Sequence, residues 1–96
     1  MPGGWVYILT NRPHGTLHVG VTADLARRVW EHRIGAGSRF AARCRLGRLV
    51  HAERHESILG AVQREKNIKH WSRAWKIAPN ERGNPHWSDL YDALLR

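Results

Sequence analysis

A tyrosine and a histidine in two short apolar stretches are the first residues whose types could do chemistry. Tyr7 lies in WVYILT, residues 5–10, and His18 lies in TLHVGV, residues 16–21. The turn-forming segment NRPHG separates the two stretches, so they predict a β-hairpin. Side chains that face each other across a hairpin lie about 5 Å apart. Gly20 follows His18, and a glycine inside a strand often marks the close approach of another group.

Arg28 and His32 form a second candidate pair, in the segment ADLARRVWEHR. The segment has helical periodicity, with Leu25, Val29 and Trp30 among its apolar positions. Residues at i and i+4 share one helix face, and a solvated surface stripe is the simpler interpretation of this pair. Alternatively, the guanidinium stabilises negative charge on a phosphate and the imidazole handles a proton.

Glu65 is a single carboxylate in the basic segment REKNIKHW, residues 64–71. An ion pair with Lys69, one helical turn later, explains Glu65 without any function. One carboxylate among cations is also what a single Mg²⁺ ion needs when water and phosphate supply its other ligands. Both interpretations stay open on the sequence alone.

Other polar motifs carry weaker signals. Asn84 precedes Pro85, which restricts it to an extended backbone, either in a turn or as an amide that donates to a phosphate oxygen. HAERH, residues 51–55, is not an HExxH motif and lies in a strand pattern, so we expect no zinc site there. Cys44 is the single cysteine, which allows no internal disulfide and favours a reducing compartment.

A small α/β (α+β) domain would position these residues. The stretch at 47–55 predicts a third strand, and the stretches at 23–33, 57–77 and 88–96 predict helices. The order β-β-α-β-α-(α)-α gives a three-stranded antiparallel sheet flanked by helices. The segment 34–45 between the first helix and the third strand is typical of a basic loop, or of a loop with one helical turn.

Capping residues and a proline set the expected helix ends. Thr22, Ser57 and Ser88 are the expected N-caps of the three helical stretches. Pro79 is expected to stop the long helix, and a break near Trp71 would divide that helix in two.

Charge and length limit the classes of partner. The 96 residues suit one domain, 1–96, and 16 Lys+Arg against 8 Asp+Glu give a net charge of +8. Such a balance favours a polyanion, and nucleic acid in particular, although solubility alone would also explain it. No apolar run approaches membrane-spanning length and no signal peptide is apparent, so we expect a cytoplasmic protein without a membrane partner.

Four motifs in the expected order resemble the GIY-YIG nuclease family, closely its small single-domain bacterial members. Trp5-Val6-Tyr7 stands where GIY is expected and His18-Val19-Gly20 where YIG is expected. The helix GVTADLARRVWEH, the segment REKNIKHWSRAWK and the C-terminal NPHWSDL complete the set. The family includes the N-terminal domain of an excinuclease, which associates it with DNA repair. The resemblance implies a DNA endonuclease that hydrolyses phosphodiester bonds with one Mg²⁺ or Mn²⁺ ion.

The resemblance also implies a role for individual residues. Tyr7 is the first motif tyrosine, Arg28 the family arginine, His32 a histidine seen in several branches, and Glu65 the metal ligand. The candidates for contacts to phosphate are Arg27, Lys69, Arg73 and Asn84.

His18 replaces the second motif tyrosine, and three interpretations of this change remain open. Neutral histidine accepts a proton more readily than tyrosine near pH 7, since their ordinary pKa values are about 6.5 and 10. His18 is therefore the general base, or an auxiliary to Tyr7, or a sign of lost activity. Three functions also remain open: a nuclease acting on single- or double-stranded DNA, a non-catalytic nucleic-acid-binding module, and a nuclease that needs a protein partner.

Overall fold

A three-stranded antiparallel sheet is the centre of the computed structural model, which describes residues 3–34 and 47–94. Its strands are β1 (Gly4–Thr10), β2 (Leu17–Thr22) and β3 (Arg48–His55), in the order β2-β1-β3. β1 is the most apolar strand, and it takes the central position where both faces are covered. The predicted hairpin and antiparallel sheet are confirmed.

Within the described residues, four helices cover the two faces of the sheet: α1 (Leu25–Arg33), α2 (Ile58–Lys69), α3 (Arg73–Gly83) and α4 (Tyr91–Leu94). Alternate side chains of β1 supply two separate cores, as the two-residue period of a strand requires. Val6 and Ile8 pack with residues of α2 and α3, whereas Tyr7 and Leu9 pack with residues of α1 and α4. The predicted mixed α/β order is confirmed, and the predicted loop at 34–45 lies almost wholly outside the described residues.

The start of α1 differs from the expected one. Asp24, not Thr22, is the N-cap, and its Oδ1 accepts a hydrogen bond from the backbone N–H of Arg27 at 3.2 Å. Thr22 is still paired with Trp5 in the sheet, so the chain is free to turn into a helix only after it. Trp30, expected on the apolar side of this helix, is 50% exposed.

The long helical stretch is divided as the alternative allowed. Ser57 caps α2 as predicted, accepting from the N–H of Leu59 at 3.2 Å, and the chain leaves the helix at residues 70–72. The expected stop at Pro79 is wrong, because α3 continues to Gly83. A proline removes one backbone donor from a helix, and here burial of the Pro79 ring compensates in part.

The C-terminal helix begins later than predicted. It begins at Tyr91, whose N–H donates to Oδ1 of Asp89 at 3.0 Å, so the expected cap at Ser88 is wrong. Asp89 Oδ1 also accepts from the N–H of Leu49 at 3.2 Å, which fixes this segment to β3. No helix within the described ranges is long and apolar enough to cross a membrane.

Candidate active site

Tyr7 lies over the backbone of the neighbouring strand at a glycine. The sheet register pairs Tyr7 with Gly20, and a Cβ at Gly20 would collide with the Tyr7 ring and hydroxyl. Tyr7 is 1% exposed. The close approach that Gly20 predicted is therefore confirmed, and the approaching group is the Tyr7 ring itself.

His18 lies diagonally across the hairpin from Tyr7. It pairs with Leu9 in the sheet, and its ring centroid is 6.3 Å from that of Tyr7. Both side chains are on the face of the sheet that α1 covers, because residues two apart in a strand share a face. The structure thus places the two residues together, as the hairpin predicted.

His32 completes a cluster of three rings. Its Nε2 and the Tyr7 hydroxyl are 3.2 Å apart in a buried hydrogen bond, and its ring centroid is 5.2 Å from that of His18. A surface stripe is therefore wrong for His32, which is 4% exposed. The missed signal is the spacing of Leu25, Val29 and His32, since positions i, i+4 and i+7 form the buried stripe of a helix.

Arg28 lies at the open side of this cluster. Its guanidinium is beside the Tyr7 hydroxyl and forms an ion pair with Glu31, with Nη1 and Oε1 3.5 Å apart. Glu31 is a residue that the sequence reasoning did not select, although its i+3 spacing from Arg28 is typical of such pairs. Arg28 is held between a phenol and a carboxylate while more than a third of its side chain stays exposed.

Glu65 and Lys69 approach the cluster from α2. Lys69 Nζ and Glu65 Oε1 are 3.2 Å apart, so the ion pair expected from their spacing is present. Burial is the main cause of the shifted pKa values of Tyr7 and His18, and the negative charge of Glu65 acts on both pKa values in the raising direction. β2 is an edge strand, and side chains of α2 can therefore act on residues of the opposite sheet face.

Burial sets the protonation states of the three rings. It raises the pKa of the Tyr7 hydroxyl above 10, although the positive charge of Arg28 acts in the opposite direction. Burial, together with the nearby His32, Lys69 and Arg28, lowers the pKa of His18 to about 4. Burial also lowers the pKa of His32. At pH 7 the site holds a protonated phenol and a neutral His18.

Glu65 is the candidate metal ligand among the described residues. Glu65 has a side chain that is only 15% exposed, and within residues 3–34 and 47–94 no group of three His, Cys, Asp or Glu could hold a metal. Mg²⁺ is commonly bound by one or two carboxylates together with water and substrate phosphate. Glu65 fits such an ion, provided that the remaining ligands come from water and substrate.

The phosphate contact expected at Asn84 does not fit the structure. Asn84 is 7% exposed, and its Nδ2 donates to the carbonyls of Val50 at 3.3 Å and Ser88 at 2.7 Å. Its Oδ1 accepts from the N–H of Ser88 at 3.0 Å. These bonds occupy the amide, so the turn is the interpretation that the structure supports.

Other residues selected from the sequence lie at the periphery. Arg27 is exposed on α1, and Arg73 donates from Nη2 to the carbonyls of His14 at 2.9 Å and Gly15 at 2.7 Å. In the HAERH segment, Glu53 forms a hydrogen bond with His51 and a bidentate ion pair with Arg64 on α2. These contacts join the hairpin loop to α3 and β3 to α2.

Comparison with known proteins gives a consistent picture. The family model of the GIY-YIG catalytic domain matches residues 3–78. A UPF0213 protein of Natronomonas pharaonis is 42% identical over 75% of this chain and 84% of its own length. A UPF0213 protein of Syntrophus aciditrophicus is 37% identical over 80% of this chain and 88% of its own length. No solved structure matches the chain significantly.

Proposed function

The chain belongs to the GIY-YIG family of nuclease domains, and from this premise we propose that it is a metal-dependent DNA endonuclease. The observation that carries the proposal is the convergence of His32 and Arg28 on the Tyr7 hydroxyl, with His18 alongside. Three segments distant in sequence thus form one polar cluster inside a small domain. If these polar side chains were exposed on the surface, water would solvate each of them and they would not contact one another.

His18 is the proton acceptor in the proposed mechanism. Its pKa of about 4 leaves it neutral at pH 7, whereas the raised pKa of Tyr7 keeps the phenol protonated. As the water oxygen forms a bond to phosphorus, His18 takes the water proton. The phosphorus–oxygen bond to the leaving group then breaks, and that oxygen takes a proton from solvent. General base catalysis by a placed side chain contributes about 10²- to 10⁴-fold.

Tyr7 and Arg28 orient and stabilise the phosphate. The protonated Tyr7 hydroxyl donates to a phosphate oxygen, with the Nε2–H of His32 donating to the phenol oxygen across the 3.2 Å hydrogen bond. The guanidinium of Arg28 presents a fork of N–H donors that matches phosphate geometry. Positive charge placed before the reaction stabilises the negative charge that develops in the transition state.

Glu65 is the residue that would hold Mg²⁺ or Mn²⁺. A divalent ion held there would supply positive charge that stabilises the transition state. Lys69, 3.2 Å from the same carboxylate, holds Glu65 in place. Arg27 and Lys69 are the proposed contacts to flanking phosphates, whereas one nitrogen of Arg73 is already bonded to the hairpin loop.

A substrate panel tests the proposal. Purified protein is incubated with labelled single- and double-stranded DNA in Mg²⁺, in Mn²⁺ and in EDTA. We expect strand scission with either metal, none in EDTA, and none from Glu65→Ala. Scission in EDTA, or scission unaffected by Glu65→Ala, would contradict the assignment of Glu65.

A non-catalytic nucleic-acid-binding module is the second candidate. His18 in place of the second motif tyrosine and the net charge of +8 favour it. It predicts salt-dependent DNA binding that survives Glu65→Ala, without strand scission in any metal. Scission that appears only when cell extract is added would instead indicate a nuclease that depends on a protein partner.

A further inference from the structure

Two tryptophans form an aromatic surface on and beside α3, away from the residues assigned above. Trp71 lies just before α3 and Trp75 lies within it, one helical turn later. Their rings meet edge to face, with centroids 6.2 Å apart and planes at 75°. Trp75 is 65% exposed, and a shallow apolar groove is lined by both rings together with Ala78 and Arg82.

Trp71 is fixed by contacts with the core and with Arg64, and its ring packs against Trp75. Trp71 packs against the core formed by Val6 and Ile8. The Arg64 guanidinium lies 4.7 Å from the centroid of the Trp71 ring, a cation–π contact that fixes the ring further. A ring supported in this way can receive a ligand without losing much conformational freedom.

Positive charge surrounds the aromatic surface. Arg82 lines the groove itself, and α3 also carries Arg73 and Lys76. Glu81 is the acidic residue of this helix, and its carboxylate accepts from the indole N–H of Trp87 at 3.5 Å. The ligand suited to an exposed indole beside cations is one with flat aromatic groups on an anionic chain.

We propose that Trp71 and Trp75 form a stacking site for unpaired bases of single-stranded nucleic acid. Base stacking on aromatic side chains is independent of sequence, and neighbouring cations follow the phosphates. In a duplex the bases are paired and stacked on one another, so they are not free to stack on the indole rings. If the protein is the proposed nuclease, this stacking site makes single-stranded nucleic acid its preferred substrate, and that assignment of substrate class rests on the proposed function.

Binding without cleavage tests the inference. The wild-type protein in EDTA is titrated with labelled oligodeoxythymidine, oligouridine, an abasic strand and a duplex of equal length, with binding followed by anisotropy and tryptophan quenching. We expect quenching by both base-bearing strands and weak binding of the abasic strand. Trp75→Ala should weaken single-strand binding about tenfold and leave duplex binding within about twofold. Trp75→Phe should restore part of the loss.

Trp30→Ala is the matched control, because Trp30 is also an exposed tryptophan on a helix, at 50%. It should leave single-strand binding unchanged. Equal losses for strand and duplex, equal losses in the two tryptophan variants, or no loss in Trp75→Ala would overturn the inference. So would self-association of the wild type that Trp75→Ala abolishes, because the surface would then belong to a second copy.

The binding result is independent of the cleavage result. Scission that depends on Glu65, together with binding indifferent to Trp75, would remove this inference and keep the nuclease. Strand binding that depends on Trp75 without any scission would keep the inference and remove the nuclease.

Discussion

The Tyr7 hydroxyl is the residue-scale feature on which the proposed chemistry depends. It is buried, it bonds to His32 at 3.2 Å, and its ring occupies the space that the missing side chain of Gly20 leaves open. The proximity of Tyr7 and His18 and the close approach at Gly20 could be predicted from the hairpin. The bond to His32 could not, because it depends on how α1 is seated against the sheet.

Gly20→Ala should disturb the site by displacing the Tyr7 ring. The added methyl group would push the Tyr7 ring away from His32. We expect a loss of about 10²-fold in cleavage rate, because a misplacement of about 1 Å can cost that much, and about 1 to 3 kcal/mol of stability from overpacking. Cleavage kinetics and thermal unfolding measure the two effects.

Gly60→Ala is the control for that substitution. Gly60 lies in α2 with nothing within 4 Å of an added Cβ. Alanine should raise the free energy of unfolding by about 0.5 to 1 kcal/mol and leave cleavage unchanged. Wild-type cleavage by Gly20→Ala would show that the position of Tyr7 does not matter.

The pH dependence of cleavage should report His18. With its pKa lowered to about 4, His18 stays neutral from pH 7 down to about 5, so kcat/KM is expected to be flat there and to fall as the pH approaches 4. His18→Ala should lose about 10²-fold. His18→Tyr should regain part of this loss, with an optimum at higher pH. Equal rates for wild type and His18→Ala would remove His18 from the chemistry.

At the scale of elements, the sheet position of each strand decides what the helices can present. β1 is central and supplies both cores. β2 is an edge strand, and the charge of Lys69 on α2 therefore adds to the effect of burial in lowering the pKa of its His18. Periodicity predicted the strands and helices correctly because burial of one face dictates it. The caps at Thr22 and Ser88 were wrong because sheet pairing and a bond from Leu49 to Asp89, both long-range contacts, decide those ends.

Asn84→Ala separates a structural role from a phosphate contact. The substitution leaves the carbonyls of Val50 and Ser88 without their donor, so we expect a loss of about 2 to 3 kcal/mol in stability. Cleavage per folded molecule should remain close to wild type. Chemical denaturation and kinetics below the unfolding transition measure these effects, and a stable variant with slow cleavage would restore the phosphate role.

At the scale of the whole molecule, charge dominates the expected behaviour toward DNA. The net charge of +8 follows directly from the sequence, and it predicts strong dependence of binding on salt. The fold decides which of these cations bond to other parts of the protein. The sequence does not distinguish Arg73 and Arg64 from the other arginines. In the structure, however, Arg73 donates to the hairpin loop and Arg64 donates to Glu53.

Arg27→Ala should lower the salt dependence of DNA binding. Arg27 is exposed on α1 near Arg28, so removing it should reduce the slope of log K against log salt by about one phosphate contact. Arg54, exposed on β3 at the opposite edge of the sheet, is the matched control, and Arg54→Ala should leave the slope unchanged. Identical slopes for wild type and Arg27→Ala would exclude the contact.

The most direct test of the nuclease assignment compares two glutamates of equal charge. Glu65→Gln alters the carboxylate that faces the tyrosine and histidine cluster, and Glu56→Gln alters an exposed one in the turn before α2. Single-turnover scission of labelled DNA is measured in Mg²⁺ and Mn²⁺ for both variants and the wild type. We predict wild-type rates for Glu56→Gln and no detectable scission by Glu65→Gln. Equal scission by all three proteins, or none by the wild type, would contradict the account.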